Sequence, residues 1–144
     1  MMTDINKITD IHEAVKARCE QFADYFEQKD VFNMVENYYT EAPRLYGDMG
    51  FLTEGGSFDL DNKEDIRGFF QATVDAVASC SFVTQYIECD GAVASEIGQV
   101  HLSPKGDEDN IQKLQYNVVW KYSEALGWRT QVSFFYLIRP WDNV

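Results

Sequence analysis

Residues 114–122 read with a period of two, and that one segment constrains the fold more than any other. Leu114, Tyr116, Val118, Trp120 and Tyr122 share one parity, against Gln115, Asn117, Val119 and Lys121 on the other. Such a row is a strand with one buried face, because a helix would scatter it around its circumference. A strand of this kind needs neighbours to pair its backbone and a layer to cover its apolar side. The flanking sequence supplies the neighbours. Residues 81–89 and 92–102 read as two strands around Asp90-Gly91, a two-residue hairpin signal. With that turn, Phe82 is expected to face Gln99, Thr84 to face Ile97 and Tyr86 to face Ser95. An acidic loop follows over 104–110, and a last strand is expected over 128–139 after a turn at 124–127.

The covering layer comes from the N-terminal half, where the period changes. Ile8, Ile11, Val15, Cys19, Phe22 and Phe26 recur at spacings of three and four, one apolar stripe of a helix over about 9–28. Lys29-Asp30 interrupts it, and Asp30 can cap a second helix carrying Val31, Met34, Val35 and Tyr38. Asp61 or Asn62 can cap a third, with Ile66, Phe69, Phe70, Val74 and Val77 as its stripe. Short strands are expected at 44–46 and 51–53, around Gly47-Asp48-Met49-Gly50. The order is α-α-β-β-α-β-β-β-β, which predicts an α+β fold: a cone-shaped, curved antiparallel sheet packed against three N-terminal helices. Both faces of the strands are fairly apolar, so one face is expected to meet the helices and the open one a second copy, as a homodimer.

Composition bounds the rest. With 144 residues the chain fits one domain, 1–144. Twelve basic residues against 24 acidic ones leave a formal net charge of −12, and the basic residues are scattered. Phosphate backbones and anionic membrane surfaces need clustered Lys and Arg, so neither nucleic acid nor membrane is expected as a partner. Residues 1–10 are polar and show no signal-peptide pattern, and the three cysteines, Cys19, Cys80 and Cys89, form no C-x-x-C pair. A cytoplasmic chain with free thiols and no metal or other cofactor is the expectation. Ten Phe, eight Tyr and three Trp suit either a filled core or an aromatic pocket for a small hydrophobic molecule.

Three stretches carry a resemblance. Asp30-Val-Phe-Asn-Met-Val-Glu-Asn-Tyr-Tyr-Thr-Glu-Ala42 resembles the second-helix motif of the nuclear transport factor 2-like superfamily. Asn62-Lys-Glu-Asp-Ile-Arg-Gly-Phe-Phe70 is similar to its third helix. Tyr116-Asn-Val-Val-Trp-Lys-Tyr122, followed by Gly127-Trp128-Arg129, looks like the closing hairpin of its SnoaL-like and ketosteroid-isomerase-like members. The resemblance implies the cone fold, and it leaves isomerases, cyclases, dehydratases and non-catalytic binding modules all open. Ketosteroid isomerisation needs an Asp base and an oxyanion hole of Tyr and protonated Asp, as the well-known isomerase itself has. Those positions fall here on Tyr46, Phe22 and Val118, which cannot run that mechanism.

Two other residues are the acid/base candidates. Asp48 sits in a glycine-flanked turn, where a carboxylate serves either as a base or only to bond backbone N–H groups. His101 shares a strand face with Gln99, Ile97, Ser95 and Val93, which is either a pocket wall or an outer surface. His12 reads as a helix-surface residue. Tyr38, Tyr46, Phe70, Gln99, Tyr116, Trp120 and Trp128 are the expected pocket lining. Gln115, Asn117, Gln131 and Ser133, on the parity opposite the core residues, are expected on a solvated, interfacial or ligand-facing surface.

Overall fold

The computed structural model describes residues 4–48 and 56–138. Each helix begins where a side chain takes up the first free backbone N–H groups. In α1 (Ile11–Glu27) the cap is Asp10, which accepts from the Glu13 N–H at 3.1 Å. In α2 (Val31–Tyr38) it is Asp30, accepting from Asn33. Of the two residues proposed for α3 (Lys63–Ala76), Asn62 is the cap: it accepts from the Asp65 N–H at 2.8 Å and returns a side-chain bond to the Asp65 carboxylate. The buried stripes are those the spacing predicts, Val15, Cys19, Phe22 and Phe26 in α1, then Ile66, Phe70 and Val74 in α3.

The helices lie on one face of a six-stranded sheet in the order β2-β1-β6-β5-β4-β3. Its strands are β1 (Tyr39–Asp48), β2 (Ser57–Leu60), β3 (Val77–Asp90), β4 (Val93–Pro104), β5 (Gln112–Ser123) and β6 (Gly127–Leu137). Consecutive strands β3 to β6 form an antiparallel meander, and β1 adds to β6 in parallel. Leu45, Val100, Leu102, Leu114, Tyr116, Val118, Trp120 and Phe135 make the inner face that the helices cover. Among the described residues, no helix is long and apolar enough to cross a membrane.

Four details depart from the sequence-based expectation. First, β1 runs for ten residues rather than three, because β6 gives it a partner far along the chain. Its other neighbour is Ser57–Leu60; the strand expected at 51–53 lies outside the described residues. Second, Val77 opens β3 directly after α3, instead of closing the helical stripe.

Third, the β3–β4 turn sits one residue later than Asp90-Gly91 suggests. Asp90 still pairs with Val93, so Gly91 and Ala92 form the corner, and only Gly91 takes a positive φ, 63°. A corner with glycine at its first central position spares Asp90 a left-handed backbone. A further register shift between Thr84 and Tyr86 then sets Phe82 opposite Val100, Thr84 opposite Gly98 and Tyr86 opposite Ile97. Fourth, a register shift between Val119 and Trp120 leaves Gln131 of β6 unmatched. The extra residue resets the parity, so Ser133 turns inward and is fully buried against the Tyr39 hydroxyl at 3.2 Å, away from Asn117 and Gln115.

Candidate functional site

The inner row of β4 is Ala94, Glu96, Gly98, Val100 and Leu102. Glu96 is the one carboxylate in that apolar row, and it is 1% exposed. A buried charge needs partners, and three donors converge on it. Tyr116 O–H donates to Oε2 at 2.6 Å, Thr84 O–H to the same oxygen at 2.8 Å, and Trp120 Nε1–H to Oε1 at 3.0 Å. Gly98 makes this geometry available: a Cβ there would lie 2.5 Å from the Tyr116 hydroxyl oxygen. The missing side chain is the space through which the phenol reaches the carboxylate.

Tyr38 completes the cluster from α2. Its ring packs against Trp120 and Phe22 at 5.2 and 4.9 Å between centroids, and its hydroxyl is buried with no hydrogen-bond partner among the described residues. Burial first, then the nearby Cys19, Tyr39, Glu96 and Tyr116, pushes the Tyr38 phenol well above its usual range. Tyr116 is pushed up by burial and then by the Glu96 charge. Burial and then Glu96 also raise the Cys19 thiol, while burial lifts Cys80 to about 12. The groups around the carboxylate are therefore neutral donors at neutral pH.

Beside the cluster lies a cavity of about 460 Å³ between α1 and β3. Cys19, Ala23, Cys80, Phe82 and Ile87 form apolar walls, and His12, Lys16 and Glu20 stand at its rim. Thr84 joins cavity and cluster, since it lines the one and hydrogen-bonds the other. A second space of about 30 Å³, enclosed by rings that include Phe22, Phe26, Phe70 and Phe82, is a packing gap with scarcely a polar partner for water.

Elsewhere two buried arginines serve structure. Arg18 donates to the carbonyls of Trp128 and Leu126, and both Arg18 and Arg129 donate to the Asn6 side-chain oxygen. Burial, then the Arg129 charge, brings Arg18 down to about 10. This pair ties the N-terminal turn to the β5–β6 corner.

The structure sorts the sequence-based candidates onto two faces. Tyr38, Tyr116 and Trp120 surround Glu96, and Phe70 borders the small gap. Trp128 is buried at the far end of the sheet, where its indole N–H reaches the Thr9 carbonyl at 3.4 Å. Tyr46 and Gln99 lie on the outer face, away from the helices. His101 is also outside, half-buried, with Nε2 at 3.1 Å from the Gln99 side-chain oxygen. Asp48 ends β1 opposite Tyr136, which faces Gln115, which faces Gln99. Three strand spacings of about 4.8 Å put it roughly 14 Å from Gln99, too far to act with His101 on one small molecule.

Glu96 escaped the sequence reading because 24 acidic residues give it no distinction. The one available signal was its parity, which it shares with Ala94, Val100 and Leu102 rather than with Ser95 and Gln99.

The raised thiols make a prediction. Cys89 is exposed, whereas Cys19 is buried and Cys80 half-buried. One thiol per chain should react quickly with an aromatic disulfide reagent at pH 8 and two slowly. The folded chain holds the Cys80 proton to about pH 12 while the unfolded chain releases it near 9. Stability from this group is thus full below about pH 9 and is lost as pH rises towards 12, where the unfolded state binds fewer protons. Urea midpoints that stay flat between pH 9 and 11 would contradict this.

No family model and no curated protein matches the sequence. Solved structures do match. A ketosteroid isomerase-like protein from Erwinia carotovora atroseptica is similar at 13% identity and a TM-score of 0.69, over 92% of this chain and all of that one. A nuclear transport factor 2-like protein of unknown function from Silicibacter pomeroyi is similar at 14% identity and 0.64, over 91% and 99%. A putative calcium/calmodulin-dependent protein kinase type II association domain from Thiobacillus denitrificans is similar at 14% and 0.65, over 88% and 94%. At such identities the likeness shows the fold alone: the chain has the nuclear transport factor 2-like cone.

Proposed function

We propose that this chain, a nuclear transport factor 2-like cone with one carboxylate on its inner wall, binds a small hydrophobic carbonyl compound and shifts a proton on it. The observation that carries the reading is Glu96: buried, held by three neutral donors, and linked through Thr84 to the α1–β3 cavity. Among the described residues no cation bonds it. A carboxylate is the kind of group that takes a proton from the carbon next to a bound carbonyl.

Tyr38 supplies the second role. Its buried hydroxyl has an unused hydrogen, and its ring packs on Trp120, which itself donates to Glu96. Neither Tyr38 nor Glu96 lines the cavity, so the ketone reaches them only as the side chains between part; with its oxygen then at Tyr38, Glu96 removes a proton from the neighbouring carbon, and the phenol stabilises the enolate oxygen by a hydrogen bond. The proton then returns to the same or a conjugated carbon, and the carboxylate is regenerated. Cys19, Phe82 and Ile87 would hold the apolar body of the compound.

A second reading, a non-catalytic binding domain of the SnoaL-like type, is favoured by the same three bonds, since they also satisfy Glu96 as a purely structural group. Proton exchange separates the two. Hydrophobic ketones that raise the melting temperature are incubated with the protein in D2O, and loss of their α-proton signals is followed by NMR. Wild type should accelerate exchange about a hundredfold or more over Glu96→Gln, the usual range for a positioned general base. Ketones that bind without any exchange would leave the binding domain as the reading.

A further inference from the structure

We propose that Thr84 is the proton route of Glu96: its hydroxyl carries protons between the buried carboxylate and the water or ligand in the α1–β3 cavity. A buried acid or base that turns over must exchange its proton with something outside the core. Glu96 is 1% exposed, and two of its three donors, Tyr116 and Trp120, are fully buried. Tyr38 is sealed in beside them, its ring against Trp120. Thr84, the third donor, is exposed and lines the cavity. Among the described residues it is the one group that bonds the carboxylate and also meets solvent.

The strand arrangement puts it there. β3 is the outermost strand on its side of the sheet, so among the described residues no further strand covers it. Cys80, Phe82 and Thr84 alternate onto the inner side, and the register shift after Thr84 leaves Gln85 unmatched. Such a bulge at a sheet edge re-aims a side chain, and Gln85 turns to the outer face, where Gln115 donates to it at 2.8 Å. Thr84 pairs with Gly98, and Gly98 pairs in turn with Tyr116. With no side chain on Gly98, the two hydroxyls lean over it from either side. They meet at one oxygen of Glu96, two residues back along β4.

A hydroxyl both accepts and donates, which an indole N–H cannot do. Beside the ionised carboxylate, Thr84 donates to Oε2. Once Glu96 holds a proton, the Thr84 hydroxyl turns, accepts that proton on Oγ1 and releases its own to water or to a basic atom of a ligand. One O–H bond forms on Thr84 as another breaks, and the carboxylate is left free. Tyr116 is bonded to the same oxygen, but from full burial it has no water to pass a proton to. The route stands on this geometry alone; its effect on turnover rests on Glu96 acting as the base of the ketone reaction. There it decides whether an abstracted proton returns to the substrate or is lost to solvent.

The proton in the 2.6 Å bond from Tyr116 to Glu96 reports the route without any ligand. Its exchange with water is measured on the full chain by saturation transfer in NMR spectra. Thr84→Val should slow it about a hundredfold, the low end of what a positioned proton-transfer group contributes. Thr84→Ser should keep the wild-type rate. The sign excludes a purely structural role, because a loosened cluster would exchange faster. Valine keeps the shape of threonine and suits a strand, so urea midpoints of the variants should stay close to wild type. Exchange in Thr84→Val as fast as in wild type or faster, or slow exchange in Thr84→Ser, would overturn the proposal. The ketone assay in D2O then reads the consequence. Thr84→Val should bind ketones as wild type does yet lose their α-proton signals more slowly, since each abstracted proton goes back where it came from. Equal loss would overturn the part played in turnover. A wild type that exchanges no ketone proton would sink the base itself, and the Tyr116 proton would still decide the route.

Discussion

Glu96→Leu should cost the fold about 2–4 kcal/mol, a large part of a small domain's stability. The substitution removes one acceptor group and strands the donors that faced it. Tyr116 and Trp120 are fully buried, so neither the phenol nor the indole N–H can turn to water. An unsatisfied buried donor costs about 1–3 kcal/mol, and two of them set the upper range. Thr84 is exposed and recovers its bond from solvent. Relief of the carboxylate's own desolvation works the other way and keeps the loss below the sum. Glu96→Gln should cost far less, since the amide oxygen still accepts from Trp120 while its NH2 donates to hydroxyls that can rotate. Urea unfolding checks the order, and a double-mutant cycle checks the cause. Tyr116→Phe should cost less in the Glu96→Leu background than in wild type. Equal costs, or a Glu96→Leu protein as stable as wild type, would mean the three bonds do not act as one cluster.

That cluster also marks where reading a sequence runs out. The helices are legible because a cap and a stripe are local: Asp10, Asp30 and Asn62 each act within three residues of themselves. β5 is legible for a similar reason, with Leu114, Tyr116, Val118 and Trp120 all buried as their alternation predicts. Faces on the other strands depend on counting from a turn, and each irregularity moves the count by one. One shifted corner at Gly91 and a register shift beyond Thr84 change every partner of β3, and the unmatched Gln131 turns Ser133 inward. The Glu96 cluster shows the same dependence on the fold. Asp48 and His101 stand out in sequence as a turn carboxylate and one of two histidines, yet both lie away from the cluster, about three strands apart. Glu96 is ordinary in sequence and becomes distinctive only when β3, β5 and α2 bring Thr84, Tyr116, Trp120 and Tyr38 around it.

Gly47→Ala should be the most damaging added methyl among the described glycines, costing at least about 3 kcal/mol, the top of the usual range for overpacking. A Cβ at this position would lie 1.8 Å from the Phe135 carbonyl oxygen and 2.8 Å from its carbon. Those are backbone atoms of the paired strand, so no side chain can swing aside. Relief requires β1 to move away from β6, and that parallel contact is what carries β1 and its neighbour β2 into the sheet. Leu45 and Tyr39, both fully buried from β1, would be dragged from the inner face along with it. Gly68→Ala on α3 is the control, because among the described residues nothing lies within 4 Å of its added methyl. Urea midpoints should separate the two by several kcal/mol, with Gly47→Ala near or past its limit of folding at about 37 °C. A Gly47→Ala protein with the wild-type midpoint would mean that β1 rides farther from Phe135 than this close approach requires, and that the parallel pairing contributes little to holding the two halves of the chain together.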